Sequence, residues 1–307
     1  MISKFPSCAI LLATFNGERW IREQLDSLSA QECVDLRIIV SDDQSSDGTM
    51  SLLSERASAL AISILPTQAK RFGCANRNFL RLVRDADIGD AEYVALADQD
   101  DIWHADKLAR AIGQLRANGA AAYSSDFEAF WPDGRTHSIK KSHAQKKFDY
   151  LFSSPGPGCT FVFTRALILE MRVWVTENFQ MLSQLWVHDW IMYAYARTHG
   201  HQWVIDSVAT IRYRQHQSNE IGVNFGLKAV QRRLAVIKEG RYRHDIVIIA
   251  ELTGANLDCA RALRRLNWSD RFWLIRHADQ FRRSLTEVWA LRVIFLLMPA
   301  TPINSFP

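Results

Sequence analysis

The chain has 307 residues, 48% of them hydrophobic and 23% charged, with a formal net charge of +4. This composition excludes a disordered, collagen-like or membrane-embedded chain and leaves a soluble globular protein of one large domain, or a domain with an extension. The charge is lopsided: residues 226–307 carry 14 Lys and Arg against 7 Asp and Glu, a net of +7, whereas residues 1–225 carry 23 against 26, a net of −3. A basic C-terminal part points to an anionic partner surface.

In chain order, the apolar run Cys8–Ala13 reads as a buried strand, being short and closed by Thr14-Phe15-Asn16-Gly17. Glu18–Ala30 sets Trp20, Ile21, Leu25 and Leu28 at helical spacing. Leu36–Ser41, rich in Ile and Val, predicts a second strand running into Asp42-Asp43-Gln44-Ser45-Ser46-Asp47-Gly48. A helix over Thr49–Leu60, a strand over Ala61–Leu65, a helix over Asn76–Asp85, a strand over Tyr93–Ala97 and a helix over Ala105–Ala117 follow. Strands alternating with helices predict a parallel, doubly wound sheet. Ala121–Ser124 resumes strand character. From Ser125 to Gly158 the pattern loosens around Pro132, Asp133-Gly134, a basic run near Lys140–Lys147 and Pro155-Gly156-Pro157-Gly158. Irregular stretches of that length form functional loops or disorder. Phe161–Phe163 is a strand, Arg165–Met171 a helix start, and His201–Ile205 and Thr210–Tyr213 are short strands; after Asn224 the chain is helical and basic.

The strand over Tyr93–Ala97 ends in Asp98-Gln99-Asp100-Asp101, three carboxylates in four positions. An extended chain turns Asp98 and Asp100 to one face and Asp101 to the other. Converging carboxylates suit a hard divalent cation, Mg2+ or Mn2+. The bland alternative is an acidic turn in which Asp101 or Asp106 caps the next helix. Thr14-Phe15-Asn16 and Asp42-Asp43 lie on the same edge of the expected sheet, where open α/β folds bind ligands. An aromatic ring, a lone carboxylate and a metal-binding pair on one edge suit a nucleotide diphosphate.

With these residues the chain resembles the family 2 glycosyltransferases of GT-A fold, over roughly its first 225 residues. The resemblance rests on the opening strand with Thr14-Phe15-Asn16-Gly17, the Ser41–Thr49 turn, the DxD motif Asp98-Gln99-Asp100, Gly158-Cys159-Thr160, His188-Asp189-Trp190 and Tyr213-Arg214-Gln215-His216. The Asp-Gln-Asp-Asp-Ile-Trp and Tyr-Arg-Gln-His forms look most like the bacterial rhamnosyltransferase branch. The resemblance implies a GT-A catalytic domain over 1–225, with a mostly parallel sheet flanked by helices, and a basic helical extension over 226–307. It also implies an inverting, metal-dependent transfer, with rhamnose from dTDP-rhamnose as the expected donor and a glycan or lipid-linked acceptor for bacterial surface polysaccharide. Position by position, Thr14, Phe15 and Asn16 bind the nucleotide, with Phe15 stacking on the base where the family more often has tyrosine. Asp43 contacts base or ribose, Arg71 the phosphates, and Asp98 the ribose or a metal-bound water. Asp100 holds the metal, and Asp189 is the base that deprotonates the acceptor hydroxyl. Without the resemblance, Asp189 reads as a helix N-cap. Gly158, Cys159, Thr160 and Trp190 are further candidates for the diphosphate or acceptor.

Arg212, Arg214 and His216 are spaced two apart, so an extended chain shows all three on one face. They either meet the diphosphate, with His216 as a further metal ligand, or form a solvated edge-strand face. Gln217-Ser218-Asn219 reads as an exit loop. In the tail, Leu227, Val230, Leu234 and Ile237 form an amphipathic face, and Phe272, Trp273, Trp289 and Phe295 accompany Arg271, Arg276, Arg282 and Arg283. That mixture suits an anionic membrane interface, or a helical subdomain that packs on the core or makes a homodimer. No helix-turn-helix or zinc pattern supports nucleic acid as a partner. Five scattered cysteines without a CxxC pair read as free thiols of a reducing compartment. The first apolar run is too short for a signal peptide, and no stretch reaches the roughly 20 apolar residues of a membrane span. The expectation is a cytoplasmic enzyme, peripheral on the inner face of the plasma membrane. Two rivals are a sugar nucleotidyltransferase, which needs a Gly-rich loop that Gly17 alone does not make, and a non-catalytic nucleotide-sugar binder, which has no need of Asp189 or the DxD.

Overall fold

The structure, a computed structural model, describes residues 5–216 and 240–300. The exit loop Gln217-Ser218-Asn219 and the tail face of Leu227, Val230, Leu234 and Ile237 lie outside the described residues. Strands β1 (Ser7–Thr14), β2 (Asp35–Asp42), β3 (Ile62–Ile64) and β4 (Tyr93–Asp98) alternate with helices α1 (Ile21–Ser29), α2 (Thr49–Arg56) and α3 (Ala75–Asp85), as the apolar runs predict. Helix α4 (Lys107–Asn118), β6 (Ala122–Ser125), β9 (Val162–Thr164) and β10 (Trp203–Asp206) complete a seven-stranded sheet ordered β10-β6-β9-β4-β1-β2-β3. Buried on both faces, β1 and β4 are continuous apolar runs, the pattern of central parallel strands.

One strand of this sheet is reversed: β9 runs antiparallel to both β4 and β6. The connection before it is the loosened stretch after Ser125, not a helix, so the right-handed crossover that would hold it parallel is missing. That stretch contains a hairpin the pattern does not reveal. Strands β7 (Phe127–Phe130) and β8 (Thr136–Ile139) pair antiparallel across Trp131–Arg135, with Gly134 in the left-handed region. All four β8 residues are exposed or half-buried, so no alternation marks them. A second sheet, ordered β5-β11-β7-β8, adds β5 (Ile102–Trp103) and β11 (Ile211–Arg214). Strand β11 lies inside this sheet, between β5 and β7, so the expected edge-strand alternative for Arg212 and Arg214 does not hold.

The chain forms two compact units. The first comprises residues 1–142, 155–192 and 200–222 and contains both sheets, the helix α5 (Arg165–Leu182) and the start of α6 (His188–Thr198). The second comprises residues 143–154, 193–199 and 223–307. Its described helices are α7 (Arg241–Thr253), α8 (Leu257–Arg265), α9 (Trp268–Arg276), α10 (Ala278–Phe281) and α11 (Leu285–Leu297). At its heart Asp149, with no exposure, accepts from Tyr193 Oη at 2.9 Å and Arg197 at 3.1 Å and lies 3.5 Å from Arg283 Nε. A buried carboxylate is tolerable only with such partners. Phe152 stacks on Phe281 beside it, ring centroids 4.5 Å apart.

Candidate active site

The loop after β1 is held in place from below. Gln99 clamps the Phe15 main chain, its Oε1 accepting from the Phe15 N–H and its Nε2 donating to the Phe15 carbonyl, both at 2.8 Å. Gly17 makes room for that side chain, since a Cβ there would lie 2.2 Å from Gln99 Oε1. Asn16 takes a left-handed φ of 46°, which asparagine tolerates, and its carboxamide oxygen accepts from the Ser46 N–H at 2.8 Å. Thr14, buried, donates to Asp42 at 2.8 Å. Asp42 also accepts from Ser45 N and Oγ, so it staples the second turn. Asp43 is 4% exposed and accepts from the main-chain N–H groups of Phe72 and Gly73 at 2.5 and 2.8 Å, with Arg71 Nε at 3.4 Å. It therefore draws the 71–73 loop against the sheet edge. The Arg71 guanidinium sits 3.5 Å over the Phe15 ring. Phe15, Asp43 and Arg71, expected separately as ring, acid and phosphate ligand, form one contiguous group.

The acidic turn departs from the extended geometry expected of it. Strand β4 stops at Asp98, and residues 99–100 turn. The alternation that puts Asp98 with Asp100 therefore ends one residue too early. Asp98 instead groups with Asp101 and Cys159, whose ligand atoms lie within 4.8 Å of one another. Asp100 turns to His216, whose Nε2 is 2.6 Å from its Oδ2, and the His216 ring stacks on Trp20 at 4.0 Å. Asp101 is fully buried; its Oδ1 accepts from the Arg214 N–H at 3.0 Å, and its Oδ2 has no partner among the described residues. Burial first, then the neighbouring Asp100 and Asp98, push its carboxyl well above the ordinary range. Neither acid caps α4: Asp106 is the N-cap residue but makes no side-chain cap bond. Three carboxylates around one turn, one with a buried orphan oxygen, fit a hard divalent cation through oxygen donors. The Cys159 thiol, buried and pushed well above its usual range, is not a ligand such an ion selects.

Strand β11 and the residues just after it bring Arg214 and His216 to this turn. Arg214 donates from Nε to the Asp100 carbonyl at 2.8 Å and from a terminal nitrogen to Glu23 at 2.7 Å. Arg212 and Arg214 both lie over the Phe130 ring, at 4.5 and 4.6 Å, which puts them on one face as their spacing predicts. Arg212 is 4.0 Å from Glu128.

Residues 158–160 form a 3-10 turn packed against β4, and this turn joins motifs far apart in the chain. Cys159 reaches Asp98 and Asp101, while Gly158 meets His188: a Cβ on Gly158 would be 2.3 Å from His188 Nε2. Cys159 and Thr160 are fully enclosed, and Thr160 Oγ1 donates to the Pro157 carbonyl at 2.8 Å, so the Thr160 side chain serves the turn itself. His188 stacks on Phe79 at 3.9 Å, has no partner for Nε2 among the described residues and is held to about 3 by burial, so its ring is neutral. Asp189, half-buried, follows in the first turn of α6, and the N–H of the buried Trp190 donates to its Oδ1 at 2.6 Å. The acidic turn and the start of α6, through His188, thus border the same three-residue turn.

Sequence reasoning passes over Lys107, Trp20, Glu23 and the clamp made by Gln99. Lys107 opens α4 fully buried, its Nζ 3.5 Å over the Trp103 ring and without a hydrogen-bond partner among the described residues. Desolvation lowers it to about 7. In the sequence it is a lysine at a helix start, and nothing local marks it as enclosed.

Comparison with known proteins agrees with this geometry. The profile described as "Glycosyl transferase family 2" matches residues 9–170. The dTDP-rhamnosyl transferase RfbG of Shigella flexneri is 40% identical over 241 residues, 78% of this chain and 83% of that protein. The Escherichia coli glucosyltransferase WfgD, described as UDP-Glc:alpha-D-GlcNAc-diphosphoundecaprenol beta-1,3-glucosyltransferase, is 26% identical over 52% of this chain and 61% of its own. Among solved structures, Staphylococcus aureus TarS 1–349 in complex with UDP-GlcNAc superposes with a TM-score of 0.55 at 17% identity, covering 93% of this chain and 83% of TarS.

Proposed function

The chain belongs to glycosyl transferase family 2, and from that premise we propose that it moves rhamnose from dTDP-rhamnose to a glycan or lipid-linked acceptor, inverting the anomeric carbon. It is a glycosyltransferase that uses a nucleotide-sugar donor in surface polysaccharide synthesis. The observation that carries the mechanism is the 158–160 turn, which borders the carboxylate-rich end of β4 through Cys159 and the start of α6 through Gly158. The donor sugar rests on the similarity to RfbG.

In this reading Phe15 offers its ring to the base, with Asp43 and Arg71 shaping that end of the site. Asp100 and His216 are the residues that would hold Mg2+ or Mn2+, with Asp98 toward the ribose; the ion, when bound, would neutralise charge on the departing diphosphate. Arg212 and Arg214 add positive charge at the same edge. Asp189 takes the proton from the acceptor hydroxyl as that oxygen bonds the anomeric carbon from the side opposite the diphosphate. The bond from carbon to the diphosphate oxygen breaks in the same step. A base in reach of the acceptor is needed because a sugar hydroxyl is a poor nucleophile while it keeps its proton. We assign this catalytic machinery to residues 1–225 and place the enzyme in the cytoplasm.

A donor screen tests the proposal. Purified protein is given dTDP-rhamnose, UDP-glucose, UDP-GlcNAc or GDP-mannose with a lipid-linked glycan extract, and nucleoside diphosphate release is followed with Mn2+, with Mg2+ and with excess EDTA. Release of dTDP above the other diphosphates, abolished by EDTA, is expected. Preferred turnover of a UDP- or GDP-sugar would overturn the donor assignment, and full activity in EDTA the metal assignment.

A further inference from the structure

Helix α11 is apolar on both sides. Val288, Leu291, Phe295 and Met298 turn inward and are buried, while Leu285, Trp289, Val293, Leu296 and Leu297 on the outside are 49–81% exposed. A helix apolar all round belongs in a core or in lipid. This one has 13 residues, about 20 Å at 1.5 Å per residue, too short for a hydrocarbon layer of about 30 Å. No helix among the described residues is long and apolar enough to cross a membrane.

Helix α9 extends the patch. Arg271 donates to the carbonyls of Phe295, Leu296 and Met298 at 2.6–3.1 Å and so ties α9 to the C-terminal end of α11. On α9, Trp268 and Phe272, one turn apart, are 76% and 66% exposed.

The charges on this face choose its partner. Arg271 lies 5.7 Å from the Trp268 ring and Arg292 lies 4.6 Å from the Trp289 ring, while Arg276 ends α9 exposed. None of these three has a carboxylate within ion-pair distance among the described residues. Two nearby acids are already matched, Asp270 by Arg265 at 2.7 Å and Glu287 by Arg282 at 4.0 Å. Two of the arginines expected at this surface are turned elsewhere. Arg283 is buried against Asp149, and Arg282 donates to Tyr242 Oη. A second copy docked two-fold on this face would set arginine against arginine. Anionic headgroups instead receive the Arg276 and Arg292 guanidinium groups while the tryptophans and aliphatic side chains enter the acyl boundary.

We propose that the joined outer faces of α9 and α11 form a docking surface for an anionic membrane. The surface is independent of which sugar the enzyme moves. The test uses the full chain with vesicles of phosphatidylcholine alone or mixed with phosphatidylglycerol. Co-sedimentation with the anionic vesicles is expected at low salt, weakening at 1 M salt, where the Debye length is about 3 Å. Trp289→Glu combined with Val293→Glu should release the protein from both vesicle types, its near-ultraviolet circular dichroism unchanged. Arg276→Gln combined with Arg292→Gln should reduce binding to anionic vesicles by about thirtyfold and leave the weak binding to phosphatidylcholine alone. Wild-type protein remaining in the supernatant at low salt overturns the proposal. So does undiminished vesicle binding by the glutamate variant, or a vesicle-free dimer that the glutamate pair converts to monomer.

Discussion

Asp189 and His188 are neighbours with opposite assignments. The Asp189 carboxylate is half-buried and oriented by the Trp190 N–H at 2.6 Å, whereas the His188 ring is enclosed against Phe79 and Gly158. Asp189→Asn keeps the shape and removes the base, so turnover should fall by about 10²–10⁴-fold. Donor affinity, read by calorimetry, should stay within about threefold. Lost donor binding with unchanged residual turnover would move Asp189 to the donor site. His188 makes a separate prediction about pH. Its folded value of about 3 lies below the unfolded 6.5, so between those limits the unfolded chain binds a proton that the folded chain refuses. Stability from this residue is complete above pH 6.5 and falls with acidification, by up to about 1.4 kcal/mol per pH unit. His188→Asn should flatten the decline in urea midpoint between pH 6.5 and 4.5. Identical slopes for the two proteins would show that the imidazole reaches solvent or a partner.

Helix α4 carries the least comfortable residue of the sheet-bearing unit. Lys107 opens it with a side chain that has no exposure and no acceptor among the described residues, over the Trp103 ring. Desolvation brings it from 10.5 to about 7. The unfolded chain thus holds an extra proton between pH 7 and 10.5, and stability rises with pH through that window. The penalty at neutral pH is on the order of 3–5 kcal/mol. Lys107→Met keeps the length of the side chain and deletes the charge. It should raise the urea midpoint at pH 7, and the gain should shrink toward pH 10. A lower midpoint at pH 7 would mean that the ammonium is paired, with Asp101 as the nearby acid. The loop between β7 and β9 makes a related point at the scale of elements. Its hairpin strand β8 is too exposed to carry an apolar code, so the pairing is set by β7.

Across the whole molecule, the two units do not follow a single cut in the sequence. Residues 143–154 and 193–199 belong with the C-terminal helices. Phe152 packs on Phe281 and Phe295, Asp149 is flanked by Arg283, and the Phe148 N–H donates to the Gln280 carbonyl at 3.0 Å. A chain ending at residue 224 would uncover Phe152 and remove Arg283 from Asp149. It should be poorly soluble, or run on gel filtration as aggregate without a near-ultraviolet signal. A monodisperse, fully active fragment would show that residues 143–154 fold without those helices.

Much of this protein is legible in one dimension because its central strands are buried on both sides. Continuous runs such as Cys8–Ala13 and Tyr93–Ala97 need no neighbours to be recognised, and the polar residues that end them mark the binding edge. The same locality marks Phe15, Asp43, Asp98 and Asp100 as candidates, whereas Asp189 is reached only through the resemblance to the family. Other features depend on contacts between distant segments, which no local pattern encodes. The reversal of β9, the grouping of Asp98 with Asp101 and Cys159 and the pairing of Asp100 with His216 are of this kind. So are the enclosure of Lys107 and the inward turn of Arg283. Side-chain direction is predictable only while the backbone stays regular. At Asp98 the strand ends, and beyond it the geometry is set by β11 and the 158–160 turn, more than fifty residues away.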